Sequence, residues 1–349
     1  MFASQIMSLF VVTQIAVLAA GSSAFAATGK VYIADEGAST VSVMDATSFK
    51  KIGSIPVGQG PHNVQVSPDG KWVWVTNNGD PAKAAETMPA EKMPKAEHAA
   101  MAGAGAVWVI DATTDAVVAK VPVGKHPAHV VVASDGRAAY VTNGGDNTVS
   151  VVDTAAQRVV GVVAVGASPH GLCITPDGKQ VWVANLNGGT VSVIDTESRK
   201  QVTQIAAGKG PAQVGFTPDG RFGFVSLSEE NKVAVIDRVS RKVIRKIAVG
   251  TVPIQLHATP DSALVLVANQ GTSKKPGTTV SVIDVASMKV AATIKAGAGA
   301  HGVVVDHEGR YAFVTNTYAN TVSVIDVAER KVVATVPVGK SPNGISMAP

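Results

Sequence analysis

An all-β fold, a seven-bladed propeller of four-stranded blades, is what this sequence predicts, and three observations predict it. Pro127, Pro169, Pro211 and Pro253 stand 42 residues apart, as do Gly124, Gly166, Gly208 and Gly250. Within that period short apolar runs alternate with turn residues, and no segment has helical periodicity. The two ends of the chain carry complementary fragments of one repeat. A period in the low forties built this way is the size of a blade, which cannot bury its own faces and must be stacked in a ring.

Residues 167–208 show the unit. Gly171 to Thr175 is a short β run closed by Pro176-Asp177-Gly178, a tight turn in which Gly supplies the positive φ. Lys179 to Asn185 (KQVWVAN) is the second strand, followed by a polar loop. Thr190 to Asp195 (TVSVID) is the third, β-branched or small throughout, which suits a sheet packed on both faces. Lys200 to Ala207 is the fourth. Strands like the third occur seven times, at Thr40–Asp45, Ala106–Asp111, Thr148–Asp153, Thr190–Asp195, Lys232–Asp237, Thr279–Asp284 and Thr321–Asp326. The first unit begins at Lys30 without an opening strand, and the tail Lys340 to Met347 is an opening strand with nothing after it. The C-terminal strand is therefore expected to complete the first blade and close the ring without an open seam.

The second strands carry a recognisable signature. It stands as Tyr140-Val141-Thr142-Asn143 and Phe313-Val314-Thr315-Asn316, with relaxed copies at Trp74–Asn77, Trp182–Asn185, Leu266–Asn269 and Tyr32–Asp35; Phe224–Leu227 departs most. Each is followed by its TVSVID-like strand, so the chain resembles the YVTN family of β-propeller repeat proteins over nearly its whole length. The resemblance implies a scaffold of periplasmic and surface proteins, whose relatives include haem d1 binders, redox subunits and proteins without known activity. Fold alone does not choose among these.

Residues 1–27 carry no charge, and an apolar run from Ile6 to Ala20 leads to the small residues Gly21 to Ala27. That pattern predicts a signal peptide, although its usual positive n-region is missing and a retained anchor is the alternative. Residues 28–349 are then one exported, periplasmic domain with insertions at 80–105 and 271–277, and no other apolar run approaches the ~20 residues of a membrane span. Cys173 is the only cysteine, which excludes an internal disulfide and fits a small buried hydrophobe. There is no C-x-x-C-H for covalent haem. The net charge of +4 comes with lysines and arginines scattered in turns such as Ser198-Arg199-Lys200, and no basic-aromatic stripe points to nucleic acid.

Strand direction gathers the unusual polar residues on one face of the disc. The position after each lead proline, and the loop between second and third strands, both lie where the innermost strands begin. From the first blade to the seventh, the residues after the lead position are Asn343, His62, Ala128, His170, Ala212, Ile254 and His301. One step further stand Gly344, Asn63, His129, Gly171, Gln213, Gln255 and Gly302, with His126 close by. His62, His170 and His301, with His129 displaced by one, can therefore converge on the tunnel mouth as ligands to a metal or a noncovalent haem. Blades two, four and seven are not neighbours, however, and a metal needs its nitrogens roughly 2.0–2.1 Å from one point; a wide tunnel would leave each imidazole to water or backbone.

The insertion Asp80 to Gly105 lies on the same face and contains Met88, Met93, His98 and Met101. Spaced thioethers with a histidine suit soft Cu(I), while the plain alternative is a solvated loop or a partner contact. Asp35, Glu36, Asp146, Glu229, Glu230, Tyr318 and the loop Gly271–Gly277 with Lys274 and Lys275 also belong to this face. No nucleophile elbow, Walker loop or Rossmann fingerprint is present, and no carboxylate recurs beside the histidines. The resulting expectation is an exported non-catalytic propeller that binds a ligand or protein here, with copper the foremost metal. The alternative is an enzyme or redox subunit holding a cofactor on the same histidines.

Overall fold

The computed structural model describes residues 29–79 and 105–348. Seven antiparallel four-stranded sheets form the molecule, and each follows chain order from the axis outward except the first. That blade has Pro342–Met347 innermost, then Lys30–Asp35, Thr40–Asp45 and Lys50–Pro56. Val31 pairs with Met347 and Ile33 with Ile345, so the two ends of the chain are sewn together as expected. The innermost strands neighbour one another around the axis, and Pro342–Met347 lies between Ala300–Val305 and Pro61–Val66, which closes the ring.

The TVSVID-like strands show why this works. Thr190 to Asp195 pairs residue for residue with Gln180 to Asn185, and its four central side chains are buried, two toward each neighbouring blade. Each junction holds one apolar cluster. Between the fourth and fifth blades Trp182, Val191 and Val193 meet Phe216, Val225 and Ile236. Burial of these β-branched and aromatic side chains stabilises by roughly 1.5–3 kcal/mol each, and both faces of a sheet contribute.

The signature residues serve the second layer of organisation. Asn143, Asn185, Asn269 and Asn316 each donate from Nδ2 to a Thr and a Ser hydroxyl of the following strand at 2.9–3.1 Å. In the first blade Asp35 takes this place, and there Thr40 and Ser42 donate to its Oδ2 instead. The insertion at 271–277 differs from the loop expected for it. Strands Leu264–Gly271 and Pro276–Asp284 run on with Gly271 opposite Pro276, so both ends of it are hairpin ladder, closed by a Thr272–Lys275 turn. Cys173 is half-buried against the fourth-to-fifth blade core, and burial pushes its thiol up to about 11.

Candidate metal centre at the tunnel mouth

Every innermost strand carries a β-bulge just after its lead residue. In the fourth blade Pro169 pairs with Asn185, but the next paired residue is Leu172, opposite Val183. The same shift occurs in five other blades, while in the second the pairing skips only His62 and resumes with Asn63 opposite Thr76. A bulge re-aims side chains out of the regular alternation, and here it turns the two residues after the lead position toward the axis. Glycine follows His170 and His301 for a steric reason. A Cβ on Gly171 would lie 2.5 Å from Ala212 O, and one on Gly302 would lie 2.4 Å from Asn343 O, so only glycine lets the adjacent strand approach.

The threonine of the signature fixes these bulges between blades. Thr142 Oγ1 accepts the His129 N–H at 2.9 Å and donates to His170 O at 2.7 Å, tying the third blade to the fourth. Thr76 does the same for Asn63 and Ala128, and Thr315 for Gly302 and Asn343. One hydroxyl thus sets the spacing between consecutive mouth residues.

His62, His129 and His170 come together. One ring nitrogen from each lies within 4.8 Å of the others, and the Nε2 atoms of His62 and His170 are 3.3 Å apart. Two nitrogens held at 2.0–2.1 Å by a tetrahedral ion lie roughly 3.4 Å apart, so that pair already has a metal-binding separation. The concern that a seven-bladed tunnel holds these blades too far apart is not met for His62 and His170. His129, on the blade between them, closes the gap with ring centroids 5.7 Å and 4.8 Å from theirs. His301 stands off at 6.3 Å from His62 and flanks the group. His126 is exposed and takes no part. Met88, Met93, His98 and Met101 lie outside the described residues.

Tautomers and charge favour ligation. His170 Nδ1 faces Ala212 O at 2.9 Å and so carries the hydrogen, leaving Nε2 a lone pair. His62 Nδ1 lies 3.4 Å from Glu36 Oε1 and 3.1 Å from Asn343 Nδ2, which also donates to Glu36 Oε2 at 2.7 Å. Sequence reasoning had placed Glu36 on this face without linking it to a histidine. Burial lowers the His170 pKa to about 4 and that of His301 to about 3, each helped by neighbouring imidazoles. Burial, then the other three histidines, holds His129 well below the ordinary range. Burial works to raise Glu36, but His62 first and Asn343 and His301 after it outweigh this and hold the carboxylate at about 2. The imidazoles of His129, His170 and His301 are therefore neutral at pH 7, the form that binds metal. Two other acidic residues of this face serve elsewhere: Asp146 caps Lys125 N, and Glu230 caps Lys209 N and pairs with Lys246.

The family model described as YNCE-like beta-propeller matches residues 256–348, across the sixth and seventh blades and the closing strand. The chain is a seven-bladed propeller of the YVTN type. A second model, Cytochrome D1 heme domain, matches residues 97–213, the stretch of this propeller that contains His129 and His170. Antigen Lp49 of Leptospira interrogans is 32% identical over 114 residues, 33% of this chain and 23% of that protein's length, so the match spans less than a quarter of the relative. Among solved structures, hydrazine synthase of Kuenenia stuttgartiensis shares the fold with a TM-score of 0.68 at 24% identity, covering 82% of this chain and 89% of that one. Dihydro-heme d1 dehydrogenase NirN in complex with DHE superposes with a TM-score of 0.65 at 18% identity, covering 91% and 75%. These likenesses place the propeller's fold among proteins of different chemistries.

Proposed function

We propose that this propeller is an exported, non-catalytic protein that binds one transition-metal ion, copper by preference, at its tunnel mouth. The convergence of His62, His129 and His170 carries the reading. Three converging imidazoles on a rigid scaffold suit Zn, Cu, Fe or Ni, and thioethers turn the preference toward Cu(I). Met88, Met93 and Met101 in the insertion of the second blade, which also bears His62, are proposed to supply them. Export rests on the uncharged apolar segment 1–27. Among the described residues no helix is long and apolar enough to cross a membrane.

Competition titration with a Cu(I) chelator under reducing conditions tests this. Replacing Met88, Met93 and Met101 together is expected to weaken copper and spare zinc, whereas replacing His62, His129 and His170 weakens both. Parent protein that binds no copper tighter than about micromolar, roughly −8.2 kcal/mol, overturns the reading.

The match of residues 97–213 to a haem domain favours a second reading, a noncovalent haem over the same histidines. The geometry fits it less well. Three rings tilted 54–85° to one another crowd a single point, so a flat macrocycle would have to stand above all three and use one of them. A Soret band in protein purified from its own compartment, without stoichiometric copper, would decide for haem.

A further inference from the structure

A cavity of about 370 Å³ runs along the axis below the histidines. Its wall includes His129 and Asn63, the neighbour of His62, at one end, and Pro218, Pro260 and His307 at the other. The last three stand in turns between first and second strands, on the face opposite the histidines. The cavity is therefore a tunnel that opens on the far face and ends at the proposed metal centre. His257 shows that it is wide enough for water. This residue stands on the innermost strand Pro253–Ala258, inside the disc, and is nevertheless exposed, because the space it meets is the tunnel.

The polar atoms of the wall suit a cation. His257 Nδ1 faces Ala258 O at 3.0 Å and so carries the hydrogen, which leaves Nε2 a lone pair with no partner among the described residues. The protein around the ring, together with His307, holds its pKa below the ordinary histidine range, although its bond to Ala258 works the other way. Gln65 stands four residues after its lead proline, as His257 does, and so at the same depth. Its Nε2 donates to Val66 O at 3.1 Å, leaving Oε1 as the spare acceptor. Other lining groups are spent: Ser346 Oγ accepts Val66 N–H, Asn63 Oδ1 accepts Val130 N–H, and Asp306 accepts the N–H groups of Arg310 and Tyr311. No Lys or Arg lines the tunnel to repel positive charge.

We infer that this tunnel is the route by which a transition-metal ion reaches and leaves the three-histidine centre, with His257 as its intermediate ligand. The inference rests on the metal reading proposed above. His307 meets the ion at the far face, and His257 Nε2 takes it up inside, opposite Gln65. His129 stands two residues after its lead proline and His257 four, so the last step covers roughly 7 Å of strand rise. An imidazole midway lets the ion exchange ligands one at a time along an otherwise largely aliphatic wall.

The test follows Cu(I) exchange between full-length protein and a chromophoric chelator by stopped flow, in both directions and under reducing conditions. His257→Leu removes the nitrogen at similar volume. It is expected to slow loading and release alike by about tenfold, or about 1.4 kcal/mol on the barrier. Equilibrium affinity should not change, since an intermediate ligand alters neither end state. His257→Trp narrows the tunnel and should slow both directions further; the leucine variant stands alone should the bulkier one misfold. Rates equal to the parent's in both variants would show that the ion arrives from the histidine face, and would overturn the route while the metal reading stands. Weaker equilibrium affinity in His257→Leu would overturn it too, by making His257 part of the centre. A parent that binds no copper fails the metal reading first, and the route with it.

Discussion

His62 and His170 bring their Nε2 atoms to 3.3 Å although the whole third blade separates their strands. Two lone pairs do not face each other at that distance, so one proton lies between them. His170 already carries its hydrogen on Nδ1, toward Ala212 O. In the neutral pair the shared proton therefore belongs to His62 Nε2. Binding a metal at both nitrogens requires His62 to move that proton to Nδ1, where Glu36 Oε1 waits at 3.4 Å.

This makes Glu36 a positioning residue with a measurable signature. Outer partners of ligating histidines typically contribute 10–100-fold to metal affinity. Glu36→Ala is expected to weaken metal binding by about that factor. Glu36→Gln, which keeps an acceptor oxygen, recovers part of it. Chelator competition at pH 7 checks both, and equal loss in the two variants would reduce Glu36 to a packing role.

The four histidines are expected to separate by rank. His129→Ala removes a ring from the converging three, and its loss should exceed the 10–100-fold effect of an outer partner. His301→Ala removes a flanking ring 6.3 Å from His62 and should cost less than that. Parallel titrations of the two variants give the order, and an equal loss would make His301 a ligand.

Thr142→Val tests how the repeat signature builds the site. The hydroxyl holds His129 N–H and His170 O together, and the variant leaves both buried groups unpaired. About 1–3 kcal/mol of stability should be lost, and metal affinity should fall as the two rings drift. Thermal melting and chelator competition must move together. Affinity unchanged in a destabilised variant would show that the bulge holds without the threonine.

Deleting Lys340 to Pro349 removes the strand that pairs with Lys30–Asp35 and supplies Ile345 and Met347 to the junction of the seventh and first blades. Loss of one strand exceeds the few kcal/mol that single substitutions cost against marginal stability. The truncated chain should not melt cooperatively by circular dichroism or calorimetry.

Much of the fold was legible because its signals repeat. TVSVID-like strands state the blade seven times over, prolines 42 apart and Pro-Asp-Gly turns reinforce its period, and the tail at Pro342 states the closure. The site is written once, by departures from the repeat, and so was less legible. Sequence placed His62, His170, His301 and His129 on one mouth. It did not show that the bulge re-aims them, or that His129, one step out of register, stands between the first two and completes the three. Glu36 was one of several carboxylates on that face, and only the approach of the first blade's loop to the second singles it out. The ladder at Gly271 was missed because Gly, Pro and Lys read as loop, while the pairing opposite Pro276 overrides that local preference.

Asp35 yields the last prediction. It is fully buried where five blades have Asn, and the geometry is nearly that of the third blade: Asp35 Oδ1 accepts Gly339 N–H at 3.0 Å, as Asn143 Oδ1 accepts Gly124 N–H at 3.1 Å. Burial raises its pKa, only partly offset by Ser42, Thr40, Lys51 and Gly339. A carboxyl whose folded pKa lies above its unfolded value holds its proton better in the native state. Its contribution is therefore favourable at low pH and is lost as pH rises through the folded pKa. Asp35→Asn replaces the carboxylate with a neutral amide that can donate to Thr40 and Ser42, as Asn143, Asn185, Asn269 and Asn316 donate in their blades. It should stabilise the propeller by about 0.5–2 kcal/mol at pH 7. The gain should shrink as pH falls and disappear below the unfolded pKa of about 3.9. Melting temperatures of parent and variant between pH 3 and 8 check it. A constant difference across that range would assign the effect to packing, and a less stable variant at pH 7 would show that the charge at Asp35 is favourable there.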